Sequence, residues 1–132
     1  MKKMNIITEY KVVFGIKKIN NSNVKFMRSI NPILDSIISD FRGIGNCDNL
    51  LGAIDSVLET GQQGGVIYPT LSLQVIRISF TTTKIYRDPA AFDLNINSNF
   101  VADYTLPTAD FKEIVKLWRN FINGDNSFLT NM

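Results

Sequence analysis

The run LPTADFKEIVKLWRNFI, residues 106–122, constrains the fold of this chain most. Phe111, Ile114, Val115, Trp118, Phe121 and Ile122 recur at the spacing of one helical face. Thr108 is placed to cap this helix, Asp110 and Glu113 suit its positive end, and Gly124 is a natural stop. Burying the six apolar side chains contributes on the order of 10–15 kcal/mol before conformational entropy is subtracted. The helix is therefore expected to be a structural element packed against the rest of the chain, rather than an exposed groove binder.

The remaining elements must supply what this helix packs against. Tyr10, Val12, Phe14 and Ile16 alternate with Lys11, Val13, Gly15 and Lys17, which predicts a strand. INNSN at 19–23 is turn material, and Val24 to Met27 reads as a return strand or an extended connection. Asn31 and Pro32 open a helix whose stripe is Ile30, Ile33, Leu34, Ile37, Ile38 and Phe41, with Gly43 and Gly45 expected to end it. A second helix is predicted from Cys47 or Asp48 to Glu59, stopped by Gly61. LSLQVIRISF at 71–80 changes apolar parity between Val75 and Ile76, as in a central strand buried on both faces. Short strands are expected at Lys84–Arg87 and along the alternation of Phe100, Ala102, Tyr104 and Leu106. Helices segregated from a cluster of strands predict an α+β domain over residues 1–132: a single layer of antiparallel or mixed sheet covered by about three helices.

Composition removes several kinds of chemistry. Histidine is absent, so no Ser-His-Asp or Cys-His arrangement can form within the chain. Cys47 is the only cysteine, which rules out an intrachain disulfide and a thiolate–imidazole zinc cluster. It is expected to behave as a small buried side chain, since a nucleophilic role would need a cationic neighbour. GIGNCDN at 43–49 lacks the Gly-x-x-x-x-Gly-Lys-Ser/Thr pattern and carries Asp48 where an anion would sit. Asp88, Asp93 and Asp103 are the residues from which a carboxylate pair would have to come, and nothing in their spacing pairs them. No metal or other cofactor is expected. Asn5, Thr8 and Glu9 interrupt any signal-peptide core after Lys2 and Lys3, and no run is long enough to span a bilayer. A cytoplasmic protein without membrane contact is expected.

Charge is segregated although the formal net charge is only +2. Residues 1–28 hold seven Lys or Arg against Glu9, residues 29–66 hold Arg42 against five carboxylates, and residues 67–132 balance six against six. The five central carboxylates are Asp35, Asp40, Asp48, Asp55 and Glu59. Asp48, Gly52, Asp55 and Glu59 follow one another at i+4, i+3 and i+4, a line down the outer face of the second predicted helix. No lysine accompanies the line at i+4, so pairing within the helix does not account for it. The bland readings are a solvated face and, for Asp48, a helix cap. The basic amino end has its own two readings. Lys11 and Lys17 share strand parity, either protecting an edge strand or contacting phosphates, whereas the aromatic residues of that strand take the opposite parity.

Residues 100–122, FVADYTLPTADFKEIVKLWRNFI, resemble the closing strand and helix of small bacterial immunity proteins of contact-dependent growth inhibition and related polymorphic toxin systems. The likeness lies in a strand, then Leu-Pro-Thr-x-Asp-Phe, then a helix with Trp and Phe three apart, over about a fifth of the chain. The resemblance implies a non-catalytic protein that binds a cognate toxin, with a nuclease expected, and occludes its active site or substrate surface. It transfers no binding residues, because each member recognises its own toxin. Many members are strongly acidic and this chain is not, which confines any acidic recognition to a local patch. Asp35, Asp40, Asp48, Asp55 and Glu59 are the expected toxin-binding residues, with Tyr68, Tyr86 and Arg87 as candidate anchors. In this reading no direct nucleic-acid contact is expected. A nucleic-acid-binding accessory protein using the lysine-rich first strand is the alternative, and a small enzyme working with carboxylates alone is a third.

Overall fold

A computed structural model describes residues 2–61, 66–69, 74–87 and 102–125, with backbone alone at 2–4 and 69. The described residues form helix α1 (Lys2–Tyr10), strands β1 (Val13–Ile19) and β2 (Ser22–Arg28), helices α2 (Pro32–Ser39) and α3 (Ile44–Thr60), strands β3 (Val66–Pro69), β4 (Val75–Ile78), β5 (Thr82–Tyr86) and β6 (Tyr104–Pro107), and helix α4 (Thr108–Ile122). The fold is α+β. Its strands lie in two antiparallel sheets rather than one, a β1–β2 hairpin and a four-stranded meander in the order β3-β4-β5-β6.

Helix α1 is the element the alternating pattern concealed. Tyr10 belongs to this helix and not to the first strand. Ile6 and Tyr10, four residues apart, are its buried face. Lys11 adopts a left-handed conformation (φ 53°), its N–H donating to the Thr8 carbonyl and that of Val12 to Ile7. That pair of bonds closes the helix as glycine usually does, and β1 starts two residues later. The hairpin then turns on Asn20 and Asn21, both at positive φ, with Ile19 paired to Ser22. Two residues of this conformation make a turn whose twist matches that of the flanking strands, and asparagine tolerates it.

Asn31 caps α2, its side chain accepting from the Ile33 N–H at 2.8 Å, and Pro32 occupies the first turn as expected. The helix closes at Ser39, before the glycines. Gly43 instead precedes α3 as its N-terminal cap and Gly45 lies in that helix's first turn. The cause is Phe41, which leaves the helical path yet remains buried against the Tyr68 ring, centroids 5.9 Å apart. Its carbonyl accepts the Trp118 indole N–H at 2.7 Å and the Cys47 thiol at 3.6 Å. Gly61 ends α3 in a left-handed conformation, as the sequence predicts.

Helix α4 packs on α3, the hairpin, α1 and the meander. Phe111, Ile114, Val115, Trp118 and Phe121 are buried as expected; Leu117 and Thr108 join them, and Ile122 is only partly covered. Phe14 of β1 stacks on Phe121 with centroids 5.0 Å apart, and Trp118 lies 6.3 Å from Phe14. This aromatic group fixes the hairpin to α4. Thr108 is not a cap. Chain direction passes straight from β6 into α4, and the Thr108 hydroxyl donates to the Ser79 carbonyl at 2.6 Å with the Thr83 hydroxyl 2.8 Å away. Both threonines are buried, and with the Thr108 proton given to Ser79 its oxygen accepts from the Thr83 hydroxyl. Strand β4 lies between β3 and β5 with Val75 and Ile76 both buried, as a parity change in a central strand requires. Residues 71–73 and 99–101 of the two longer predicted runs lie outside the described residues.

Candidate functional site

The acidic line of α3 survives as geometry but acquires partners from α4. Asp48 Oδ1 lies 3.0 Å from Arg119 Nε, and Asp55 Oδ1 lies 2.7 Å from Lys112 Nζ. Each pair joins residues seven apart on one helix to residues seven apart on the other, as two packed antiparallel helices require. Internal pairing thus does account for two of the carboxylates; it runs between helices rather than along one. Asp48 is also not a cap, because α3 begins four residues earlier at Ile44. Both carboxylates keep about half of their side chain exposed (52% and 45%), and Glu59 is exposed. Lys112 is held above its ordinary pKa by its bond to Asp55, with Glu113 and Glu59 adding to the effect. The face therefore presents an acidic row of Asp48, Asp55 and Glu59 whose first two members are paired with cations of α4.

Asp35 occupies a different environment. It lies in α2, accepts a hydrogen bond from Ser29 Oγ at 2.6 Å, and lines a groove with Lys17, Arg28 and Arg42. Burial pushes its carboxyl up, opposed by the Ser29 bonds and the Arg28 charge. Asp40 is the C-terminal cap residue of α2, its N–H donating to the Ile37 carbonyl. The five expected carboxylates are thus divided: one row on α3, and two residues on α2, of which Asp35 faces cations of the hairpin. A folded-state pKa raised above the unfolded one means that the Asp35 charge opposes folding above the ordinary aspartate range and ceases to do so as pH falls below it. Asp35→Asn keeps an acceptor for Ser29 and removes the charge. Denaturant midpoints are expected to rise relative to wild type at pH 7, and this advantage is expected to disappear near pH 3.

The hairpin carries what the sequence reading missed. Lys11 is outside the strand, so it shares no face with Lys17. Register pairs Gly15 with Phe26, Lys17 with Val24 and Val13 with Arg28, so Lys17, Phe26 and Arg28 share the outer face while Phe14 and Met27 face the core. Lys17 Nζ and Arg28 Cζ each lie 5.3 Å from the Phe26 ring centroid. Gly15 makes room for that ring, since a Cβ there would collide with it. An aromatic residue therefore does share the lysine face, contributed by the return strand. Alternation of Val24, Phe26 and Arg28 was its signal.

Of the candidate anchors, Tyr68 packs on Phe41 and Tyr86 is buried in a small cluster with Val75, whereas Arg87 is exposed, its backbone N–H donating to Asp103 Oδ2 at 2.7 Å. Asp88 and Asp93 lie outside the described residues. Cys47 is fully buried, and burial with the neighbouring Asp48 charge pushes its thiol up to about 11, so it is protonated at neutral pH. Among the described residues no group of three or more His, Cys, Asp or Glu is placed to hold a metal ion, and no helix is long and apolar enough to cross a membrane. Comparison with protein-family models, curated proteins and solved structures finds no match.

Proposed function

We propose that the protein is an immunity protein that binds a cognate bacterial toxin in the cytoplasm and neutralises it by occlusion, performing no reaction itself. A nuclease is the toxin class this reading favours. One observation carries it: Asp48, Asp55 and Glu59 stand in line on α3, the first two about half exposed and Glu59 exposed, with Asp48 and Asp55 paired to Arg119 and Lys112. Enzymes that act on RNA or DNA present cationic surfaces to phosphates, and a row of carboxylates spaced by helix turns complements such a surface. Because Lys112 and Arg119 cancel two of the charges at long range, the row favours contact-range selection over distant steering. Side chains already engaged in ion pairs in the free protein lose less freedom on docking. The resemblance of residues 100–122 to the closing unit of immunity proteins supports the same reading, since these residues include β6 and α4, and Lys112 and Arg119 lie on α4.

Co-expression tests it. On this reading the partner is expected to be the carboxyl-terminal domain of a large secreted protein encoded next to this chain. Growth of cells making that domain is expected to be restored by this chain, and the two are expected to copurify as a stable pair. Unrelieved toxicity, or turnover of a substrate by the purified chain alone, would contradict the proposal.

A further inference from the structure

Lys112 and Arg119 are neutralised by α3, whereas Lys17, Arg28 and Arg42 form no ion pair among the described residues and converge on one groove. This groove, of about 360 Å³, runs between the outer face of the hairpin and α2. Phe26 forms part of its wall, flanked by Lys17 and Arg28. Arg42 reaches in from the turn after α2, positioned by donation from Nη1 to the Lys25 carbonyl at 3.1 Å. Lys25 is in turn anchored on the opposite face of the hairpin, its Nζ donating to the Phe121 carbonyl at 2.8 Å. The cations thus stand on a strand pair tied to the core through Phe14 and Phe121. Asp35, beside Ser36 and Ser39, supplies the single carboxylate of the groove.

We propose that this groove binds single-stranded nucleic acid, with phosphates against Lys17, Arg28 and Arg42 and an unpaired base against Phe26. Charge complementarity is the first argument: three cations outnumber one carboxylate in a concave site of the size that holds small ligands. The aromatic ring between two cations is the second, because a base offers a π-face to it and a phosphate to its neighbours. Asp35 separates this occupant from an acidic peptide. A carboxylate repels Asp and Glu side chains, but it accepts a hydrogen bond from an exocyclic amine of a base. A duplex has its bases stacked inside and presents none to Phe26. The proposal stands independently of toxin binding by α3, since it uses no residue of the acidic row.

Fluorescence polarisation of the full chain tests it, with a labelled 12-nucleotide single strand, the matching duplex and a 12-residue polyglutamate at 50 and 200 mM salt. Three phosphate contacts predict a log–log salt slope of about −2, so affinity for the single strand is expected to fall roughly 20-fold between the two conditions. Replacing the exposed Lys17 and Arg28 together by Ala is expected to weaken binding at 50 mM by tenfold or more and to bring the slope to about −0.7. Phe26→Leu keeps apolar bulk over Gly15 and removes the ring; it is expected to weaken binding roughly tenfold and leave the slope unchanged. If Phe26→Leu fails to fold, the Lys17/Arg28 variant decides. Absence of binding at 50 mM, equal binding by that double variant, or duplex or polyglutamate bound as tightly as the single strand would overturn the proposal.

Discussion

Trp118→Ala is expected to remove about 3–5 kcal/mol of stability, the usual range for truncating a large buried aromatic. The residue is 1% exposed and its ring lies beside the stacked Phe14 and Phe121 rings, centroids 6.3 and 6.0 Å away. Its indole N–H also closes the turn between α2 and α3 by donating to the Phe41 carbonyl at 2.7 Å. The substitution therefore opens a cavity at the contact of hairpin and α4 and leaves that carbonyl with only the weak Cys47 thiol donor. A domain of this size has roughly 5–15 kcal/mol in total, so a lowering of the thermal midpoint on the order of 10–20 °C is expected. Trp118→Phe separates the two contributions, because it keeps most of the ring and deletes the donor; a loss of about 1–2 kcal/mol is expected. Trp118 is the only tryptophan, so far-UV circular dichroism rather than fluorescence must follow the unfolding. Equal midpoints for wild type and Trp118→Ala would mean that Trp118 is not the contact on which the hairpin and α4 depend.

How much of this was legible in the sequence depended on the distance over which each signal acts. Helix α4 was readable because six apolar residues repeat at one period over three turns, and nothing else in the chain competes for them. The exit of α2 and the start of α3 have no clear local signal, since glycines that normally stop a helix here stand before and inside the next one. Helix α1 was hidden by an accident of parity. Tyr10, Val12 and Phe14 are all buried, so their alternation continues unbroken across a helix end and a strand start. Only the left-handed Lys11 between them marks the change, and no rule assigns that conformation to lysine in advance. β3, four residues ending in Pro69, was too short to announce itself. The acidic row followed from i+3 and i+4 spacing, but its partners are 57 and 71 residues away along the chain, at Lys112 and Arg119. The groove on the hairpin needed the register fixed by Asn20 and Asn21 before Phe26 could be assigned to the face of Lys17.

The paired state of the acidic row allows its structural and recognition roles to be separated. Asp55→Lys alone places an ammonium beside Lys112, which sits 2.7 Å from the carboxylate it replaces. Because both side chains are about a third or more exposed, the loss of stability is expected to stay within about 1 kcal/mol. Adding Lys112→Asp restores an opposite-charge pair in the reverse sense. Net charge then equals that of wild type, so long-range attraction to a cationic partner is unchanged. What changes is the sign of the group presented between Asp48 and Glu59. Recognition by the acidic row requires a cation of the toxin to meet that position at contact range, and the exchange confronts it with a like charge. The deciding measurement is the dissociation constant for the toxin domain recovered in co-expression, compared between wild type and the Asp55→Lys/Lys112→Asp variant. A thermal midpoint within about 3 °C of wild type, together with binding weakened roughly 10- to 100-fold, is the predicted result. The same dissociation constant for both proteins, with the fold intact, would contradict toxin recognition by the α3 row.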